Sequence, residues 1–531
     1  MRLGLACLAV SALLIAGFWS WLGQPVAIPQ ASLKTGEKLY CVSYAPFRGS
    51  QTPLDPNTLI PASQIEQDLN QLARLTDCVR IYSTDVGLDQ VAGIAAKLGL
   101  KVMQGIWISN DPAKNRAQIE TAVALANRYP DTIRAVIVGN EVLLRGDMAA
   151  TDLANTMRAV KARVRVPVTY ADVWEFWLRN RDVAAAADFI TIHILPYWED
   201  FPIPARYAAA HVDAIRRQLV EAFAGKEVII GEVGWPSYGR MREGALPSPA
   251  NQARVIQDVL ALAQRDKFRV NVIEAFDQAW KRRLEGTVGG HWGLLNDDHW
   301  PKFEWGEAVS NHPLSRWQAA GGIGFAALVF GAAFATGRGN NAPLSLWLAV
   351  SANALAGGVL IGRTIANVPI ESLGFGGWLR SLAFTAAALL AAPIMSAATM
   401  RGTPLPRLSA LIGPASERLG DSLTRIIGCV LIVSMVLSIM VALGLVFDSR
   451  YQDFPFAPLT AVAVPLLTHS LAMPRLQGAR GAAELAGAGL LALSVPYIAL
   501  NEGFANWQSL WVCATLAALA FTLARVRAAQ G

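Results

Sequence analysis

Two glutamates stand where the residue pattern changes from a buried strand to a turn. Glu141 ends the segment 135–141, and Glu232 lies in the segment 228–237, directly after three apolar β-branched residues and a glycine. Continuous apolar runs closed by turn residues are typical of strands buried on both faces of a parallel sheet. A carboxylate at the end of such a strand is poorly placed for packing and well placed for chemistry. Glu141 and Glu232 are therefore a candidate catalytic pair, facing one another across the mouth of a barrel.

A pair of carboxylates can cleave a glycosidic bond. One carboxylic acid protonates the leaving oxygen, and the other carboxylate acts on the opposite side of the anomeric carbon. If the two groups lie about 5 Å apart, the second attacks directly and a covalent glycosyl-enzyme forms. Asn140, next to Glu141, is placed to bond the 2-hydroxyl of the sugar. The alternative is that each glutamate is only a salt-bridge partner at a strand end.

The residues between positions 38 and 310 predict the scaffold that would bring the pair together. Strands are predicted at 40–46, 78–83, 101–108, 134–141, 167–172, 188–194, 227–232 and 270–277. Helices are predicted between them at 63–75, 88–98, 115–128, 152–163, 206–223 and 249–264, the first opening with a capping box at Ser63 and Glu66. Eight strands alternating with helices over about 250 residues predict an α/β fold, a (β/α)8 TIM barrel, with its chemistry at the carboxyl ends of the strands.

The remaining chain predicts a membrane domain. A content of 53% hydrophobic and 16% charged residues is too apolar for an ordinary soluble protein. Residues 1–23 predict an uncleaved transmembrane anchor, with a cleaved signal peptide as the alternative, and residues 316–531 predict about seven further helices. The expected spans are 3–22, 318–336, 343–362, 379–399, 426–446, 456–473, 482–500 and 506–523.

The arginines predict the orientation of these spans. If residue 1 is cytoplasmic, the inside segments hold Arg338, Arg401, Arg407, Arg418, Arg425, Arg475, Arg480, Arg525 and Arg527, whereas the outside gaps hold Arg363, Arg380 and Arg450. This excess follows the positive-inside rule, so both termini are expected in the cytoplasm and the barrel outside it. Basic residues placed in this way indicate topology, and we expect no nucleic-acid partner.

The chain resembles glycoside hydrolase family 17, the family of β-1,3-glucanases and β-1,3-glucanosyltransferases, over residues 38–305. The resemblance is carried by Val138-Gly139-Asn140-Glu141 and Ile230-Gly231-Glu232-Val233-Gly234-Trp235-Pro236-Ser237, with further matches at 42–47, 79–82, 195–198, 274–281 and 291–294. It implies a retaining mechanism with Glu141 as acid/base and Glu232 as nucleophile. Plant members usually have Phe-Asp-Glu where this chain has Phe276-Asp277-Gln278. The motifs at 274–277 and 291–293 are more similar to those of fungal and bacterial members.

The family motifs and the predicted strand ends together select the residues expected to bind sugar. They are Asn140, Tyr44, Tyr82, Tyr170, Tyr197, Trp235, Asp277, Lys281 and Glu285, and Tyr82 is also a candidate contact of the nucleophile. Core packing is the alternative for each aromatic ring. Cys41 and Cys78 begin neighbouring strands, so a disulfide and a pair of buried thiols are both open. No metal or nucleotide motif is present in the sequence, and the mechanism requires no cofactor.

Three functions follow as expectations. The first is a membrane-anchored β-1,3-glucan transglycosylase, because the barrel followed by many spans resembles bacterial proteins of cyclic β-1,3/1,6-glucan synthesis; new β-1,6 linkages would then be its products. The second is an endo- or exo-β-1,3-glucanase. The third, of another class, is a non-catalytic glucan-binding subunit of a synthase complex. The expected partners are a β-glucan substrate and acceptor, the lipid bilayer of a bacterial inner membrane with the barrel on the periplasmic side, and a membrane glucan synthase.

Overall fold

The computed structural model describes residues 1–29, 33, 36–339, 341–412, 422–474 and 476–527. Two compact units make up the chain. One comprises Val26–Gly239 with Gly244–Val309, and the other comprises Met1–Pro25, Arg240–Glu243 and Ser310–Gly531. Arg418 and Arg475, which entered the prediction of orientation, lie outside the described residues.

The first unit is a closed parallel barrel of eight strands in chain order. The strands are β1 (Cys41–Ser43), β2 (Cys78–Ile81), β3 (Lys101–Ile106), β4 (Ile133–Asn140), β5 (Val168–Val173), β6 (Ile190–His193), β7 (Val228–Val233) and β8 (Val270–Val272). The helices in and around them are α2 (Ala62–Leu72), α3 (Val91–Leu98), α4 (Pro112–Arg128), α5 (Val142–Arg145), α6 (Ala150–Lys161), α7 (Trp174–Arg179), α8 (Ala205–Ala222), α9 (Pro249–Asp266) and α10 (Arg282–Gly289). This architecture confirms the (β/α)8 fold.

Two layers of side chains fill the interior of the barrel. Cys41, Cys78 and Met103 belong to a buried apolar cluster. Ser43 and Arg80 lie two residues further along β1 and β2, hence on the same face of each strand, and both are buried. The interior therefore changes from apolar to polar toward the carboxyl ends of the strands. Buried polar groups need partners, so this second layer is where a hydrogen-bonded site can be built.

Several predicted boundaries were wrong, each for a local reason. Strand β4 ends at Asn140, one residue before Glu141, because Glu141 has φ +53°, in the left-handed region that lies outside extended strand geometry. Strand β8 ends at Val272, so the predicted extension to 277 is irregular chain. The capping box at Ser63 is also absent: α2 begins at Ala62 after Pro61, and no side chain caps it.

The second unit is helical. Its helices are α1 (Arg2–Leu22), α11 (Ser315–Phe334), α12 (Leu344–Glu371), α13 (Gly374–Arg401), α14 (Leu408–Ile412), α15 (Ser422–Phe447), α16 (Phe456–Ala472), α17 (Ala482–Glu502) and α18 (Trp507–Arg525). Among the described residues, 7 of these helices are long and apolar enough to cross a membrane, and α16 is apolar but shorter. Large apolar side chains such as Leu13, Leu390 and Leu493 are exposed, as lipid contact would require. These helices are compatible with membrane association.

A disulfide joins Cys41 and Cys78, at the start of β1 and β2. We expect Cys41→Ala/Cys78→Ala to lower the free energy of unfolding by about 2–4 kcal/mol, because the bond restricts the unfolded chain. Denaturant unfolding of the detergent-solubilised full chain measures this, and reductant should destabilise the wild type but not the variant. Alkylation of the denatured, unreduced chain should label only Cys7, Cys429 and Cys513. Labelling of all five cysteines at that stage would contradict the bond.

Candidate active site

Glu141 and Glu232 come together at the carboxyl ends of β4 and β7. One carboxylate oxygen of each, together with a ring nitrogen of His193, forms a group whose atoms all lie within 4.8 Å of one another. Glu232 is buried, whereas 23% of the Glu141 side-chain surface is exposed to solvent. The two carboxylates thus face a shared space, with Glu141 more open to solvent.

The buried guanidinium of Arg80 connects the residues of this site. Its Nη1 donates to Glu232 Oε1 at 3.0 Å and to the carbonyl of Gly231 at 2.8 Å. Its Nη2 donates to Asn140 Oδ1 at 2.5 Å. One planar donor therefore fixes the nucleophile candidate on β7 and the residue preceding Glu141 on β4. Asn140, expected to bond the sugar, also has an internal partner.

His193, at the end of β6, links the two carboxylates. Its Nδ1 lies 2.9 Å from Glu141 Oε1, and its Nε2 lies 3.5 Å from Glu232 Oε1. Nε2 also lies 3.3 Å from both terminal nitrogens of Arg80, which can only donate. Nε2 is consequently the acceptor, and Nδ1–H donates to Glu141. The sequence analysis missed His193, although a histidine ending a strand in barrel register was the available signal.

Tyr82 and two buried polar residues complete the surroundings of Glu232. The Tyr82 hydroxyl lies 2.9 Å from Glu232 Oε1 and 2.9 Å from Ser43 Oγ. Asn271 Nδ2 donates to Ser43 Oγ at 2.8 Å, and to Gly231 O at 2.7 Å. Arg80, Tyr82 and His193 all face the same carboxylate oxygen, Oε1. The geometry therefore presents Oε2 as the oxygen that can approach a substrate.

A tight turn after β4 presents Glu141. Tyr170 receives the Leu143 N–H at 2.9 Å, and its own hydroxyl donates to Asp172. These residues of β5 hold the first turn of α5 and so the backbone that carries Glu141. Tyr170 is fully buried, so a direct sugar contact by it stays a prediction. Burial raises the pKa of Asp172 to about 6.

The ionisation of Glu141 is set by opposing effects. Burial raises its pKa, but the hydrogen bond donated by His193 and the positive charges of Arg145 and Arg80 act in the opposite direction, and the net effect is a lowered pKa. The pKa of Glu141 therefore lies below its ordinary value in this unliganded site. A general acid must be protonated to act, so His193 controls the pH range in which Glu141 can serve as one.

Gly231 makes room for His193 in the barrel. A Cβ at this position would lie 2.4 Å from Thr191 Cγ2 and 3.3 Å from His193 Cδ2. Its carbonyl also receives Arg80 and Asn271, as described above. A side chain at Gly231 would therefore clash with Thr191 and crowd the histidine that lies between the two carboxylates.

The chain after β8 adds four charged residues, Glu274, Asp277, Lys281 and Glu285. Lys281 Nζ lies 2.7 and 2.8 Å from the two oxygens of Glu274, and burial raises the pKa of Glu274 to about 7. Burial also raises the pKa of Glu285, and the charges of Glu141 and Glu232 add to it, so Glu285 shares their electrostatic field. Asp277 instead bonds Lys302 at 2.5 Å and the Gly293 N–H at 2.9 Å.

The remaining aromatic residues expected to bind sugar are buried. Tyr44 donates to Asp68 Oδ2 at 2.9 Å, Trp235 donates to the Leu246 carbonyl at 3.1 Å, and Tyr197 is fully buried. Tyr197 and Trp235 pack edge to face with their ring centroids 6.0 Å apart. Sugar contacts by these residues, and by Asp277, Lys281 and Glu285, stay predictions.

Glu141, His193 and Glu232 also have the ligand atoms that a metal ion would need. A positive charge, that of Arg80, already lies 3.0 Å from Glu232 Oε1. A divalent cation bound there would meet that guanidinium at close range, and repulsion would oppose its binding. The donor set therefore fits a hydrogen-bonded acid pair better than a metal centre.

Comparisons with known proteins agree with this geometry. The sequence profile of the BtgE/BtgC glycoside hydrolase domain matches residues 41–293. A Candida albicans protein named glucan 1,3-beta-glucosidase is 30% identical over 275 residues, covering 47% of this chain and 88% of the relative. The chain belongs to glycoside hydrolase family 17. A Saccharomyces cerevisiae relative, also named glucan 1,3-beta-glucosidase, is 28% identical over 257 residues, covering 44% of this chain and 82% of the relative.

A solved structure with a similar sequence is the glycoside hydrolase family 17 beta-1,3-glucanosyltransferase of Rhizomucor miehei. It is 27% identical, covers 51% of this chain and 97% of its own, and aligns with a TM-score of 0.45. Family 17 membership makes the chain a glycoside hydrolase or glycosyl-transferring enzyme. A retaining mechanism fits both the family and the separation of the two carboxylates.

A pH profile tests the role of His193 in this family 17 site. In His193→Phe, the influences that lower the Glu141 pKa weaken while burial remains, so its pKa should rise. Because activity falls as the general acid loses its proton, the alkaline limb of kcat/KM should move to higher pH. His211→Phe is the matched control, since His211 Nε2 pairs with Glu199 Oε1 at 3.0 Å on another part of the barrel. An unmoved limb in His193→Phe would show that His193 does not set this pKa.

Proposed function

We propose that this chain is a membrane-anchored, retaining β-1,3-glucan transglycosylase whose catalytic domain lies outside the cytoplasm. The observation that carries the proposal is the separation of the Glu141 and Glu232 carboxylate oxygens, within 4.8 Å. Retaining enzymes hold their carboxyl groups about 5–5.5 Å apart, whereas inverting enzymes need about 6.5–9.5 Å to admit a water molecule. Glu232 is accordingly assigned as nucleophile and Glu141 as acid/base.

The first step breaks the glycosidic bond. Glu232 Oε2 attacks the anomeric carbon while Arg80 and Tyr82 hold Oε1 and keep the carboxylate oriented. Glu141 gives its proton to the glycosidic oxygen, and the bond from that oxygen to the anomeric carbon breaks. The leaving sugar departs as an alcohol, and the remaining glycosyl group is esterified to Glu232.

The second step releases the glycosyl group. Glu141, now a carboxylate, takes a proton from an incoming hydroxyl group, and the oxygen of that group attacks the anomeric carbon. The ester bond to Glu232 breaks, and both carboxylates return to their starting states. If the hydroxyl belongs to water, the reaction is hydrolysis; if it belongs to another sugar, the reaction is transfer.

The substrate class is proposed from similarity. The relatives in Candida albicans and Saccharomyces cerevisiae are named glucan 1,3-beta-glucosidases, which supports a β-1,3-glucan donor. Hydrolysis of that polymer is the second candidate function, and the same names favour it. For the transglycosylase, the first candidate, we propose transfer to the 6-hydroxyl of a glucan, so that its products contain new β-1,6 linkages.

The helical unit supports the proposed location. Its long apolar helices would hold the enzyme in a membrane, and the arginine distribution supports a barrel on the periplasmic side of a bacterial inner membrane. A disulfide in the barrel also suits an oxidising compartment. The alkylation experiment on Cys41 and Cys78 also tests this location, because a cytoplasmic barrel would be expected to keep both thiols reduced. A membrane glucan synthase as partner remains part of the same proposal.

Substitution of the two carboxylates tests the assignment. Glu232→Gln should lower kcat by roughly 10⁴-fold or more, as losses of nucleophiles do. Glu141→Ala should lower kcat by about 10²–10⁴-fold. Azide should restore part of the activity, because it needs no general base to attack the glycosyl-enzyme. Glu227→Gln is the matched control, because Glu227 pairs with Arg269 near the opposite end of β7. Wild-type turnover by folded Glu232→Gln would refute the mechanism.

Product analysis separates transfer from hydrolysis. The full chain in detergent micelles is incubated with one linear β-1,3-gluco-oligosaccharide, and products are sized by mass spectrometry and their linkages read by NMR. We expect products longer than the donor and a new β-1,6 signal. Longer products with only β-1,3 signals would retain transfer and remove the branching proposal. Shorter products alone would make the enzyme a glucanase, and no turnover would favour a binding subunit.

A further inference from the structure

Trp107 is an exposed aromatic residue at the mouth of the barrel that the mechanism has not used. It directly follows β3, the strand that pairs with β4, and 38% of its surface is exposed. Most large aromatic residues of the site, including Tyr170, Tyr197 and Trp235, are fully buried. An exposed indole beside the strand that leads to Glu141 is therefore a surface on which the apolar face of a sugar ring can stack.

Arg145 holds this indole in place. Its guanidinium carbon lies 4.3 Å from the centroid of the Trp107 ring. The guanidinium itself is fixed by Asp147 Oδ2 at 2.7 Å, the Ile108 carbonyl at 2.9 Å, and the Asn140 carbonyl. Because Arg145 is the last residue of α5, which starts directly after Glu141, the same turn positions both the acid/base and the support of the indole.

A groove of about 470 Å³ opens next to these residues. It runs between the first turns of α4 and α6, and its lining includes Ser109, Asn110, Arg116, Asp147, Met148 and Asp152. Ser109 and Asn110 continue the chain from Trp107, and Asp147 is the residue that anchors Arg145. The groove is therefore lined by close chain neighbours of Trp107 and Arg145 and by Asp147, which binds Arg145, but not by the pair itself. Its volume is within the range of small-molecule sites.

The lining chemistry suits a neutral chain of sugars. Hydroxyl, amide, carboxylate and guanidinium groups alternate with the apolar surfaces of Met148 and Ile119, and both signs of charge are present. An anionic ligand would meet Asp147 and Asp152, and a cationic one would meet Arg116. A polyhydroxyl ligand can donate to the carboxylates, accept from Arg116, and lay its apolar faces on Trp107.

The position of the groove assigns it to one side of the reaction. The leaving sugar departs from the side on which Glu141 protonates it, and by reversibility the incoming acceptor arrives there. Trp107 directly follows β3, the neighbour of β4, and Arg145 ends α5, which starts after Glu141, whereas Glu232 comes from β7 across the barrel. We propose that Trp107, supported by Arg145, and the groove beyond it bind the incoming β-glucan acceptor. This inference rests on the proposed transglycosylase function and names the specificity site for its second step.

The test measures acceptor use by the full chain in detergent micelles. One labelled β-1,3-gluco-oligosaccharide is the donor, and unlabelled laminaribiose or laminarihexaose is the acceptor. We expect Trp107→Ala to raise the acceptor KM about five- to tenfold and to lower the ratio of transfer to hydrolysis by a similar factor, as loss of one stacking contact predicts. Trp107→Phe keeps an aromatic face, so its acceptor KM and its ratio of transfer to hydrolysis should be close to those of the wild type.

Two further variants separate stacking from general damage. Asp152→Ala changes an exposed residue at the far side of the groove, so it should raise the KM of laminarihexaose and leave that of laminaribiose unchanged. Tyr207→Ala is the matched control, because Tyr207 is exposed and lies under Arg206 at 4.6 Å but on α8, away from the groove. It should change neither acceptor KM nor product ratio.

The outcomes are distinguishable from failure of the proposed function. If the wild type releases labelled products without any transfer, the transglycosylase proposal fails before the groove is tested. If the wild type transfers and Trp107→Ala keeps its acceptor KM and its product ratio, the acceptor site is overturned. An equal loss in Trp107→Ala and Trp107→Phe would also overturn it, because a packing role and not a stacking face would then be responsible.

Discussion

The catalytic site depends on one buried guanidinium. Arg80 has 1% of its side chain exposed and contacts Glu232, Asn140 and the carbonyl of Gly231. Burying such a charge costs several kcal/mol unless it is paired and fully bonded, and removing one partner leaves the other uncompensated. Arg80 therefore couples β2, β4 and β7, because the ends of these strands must meet in one geometry for its two terminal nitrogens, Nη1 and Nη2, to keep their partners. The barrel is closed around a charge that tolerates little displacement of the carboxylates.

The same network gives Glu141 and Glu232 different surroundings. Glu232 Oε1 accepts hydrogen bonds from Arg80 and Tyr82. These bonds fix the orientation of the carboxyl group and so the direction in which Oε2 points. Glu141 stands one residue beyond β4 on a left-handed turn, more exposed, and bonded to His193. A nucleophile must stay ionised and fixed, whereas an acid/base must exchange a proton and meet solvent or sugar. The surroundings of Glu232 suit the proposed nucleophile, and those of Glu141 suit the proposed acid/base.

The sequence was sufficient for the barrel and the carboxylate pair, but not for the network that connects them. Apolar runs ending in Glu141 and Glu232 identify both residues because each run is local in the chain. His193, Ser43 and Asn271 lie on three other strands, and only closure of the barrel brings them to the pair. The left-handed turn at Glu141 was missed for a similar reason: Gly139 signals a turn, but tertiary bonds from Tyr170 and Asp172 determine its form.

The choice between hydrolysis and transfer is a competition for one intermediate. Water is present at high concentration and needs no binding site, so a sugar hydroxyl wins only if it is held beside the anomeric carbon. Positioning of this kind can be equivalent to a very high local concentration, which is worth several kcal/mol of the barrier. The proposed catalytic pair supplies none of that preference, because a general base at Glu141 would activate either hydroxyl. A preference for transfer would have to come from residues near Glu141 that do not react, which is the role proposed for Trp107 and the Arg145 guanidinium that packs on its ring.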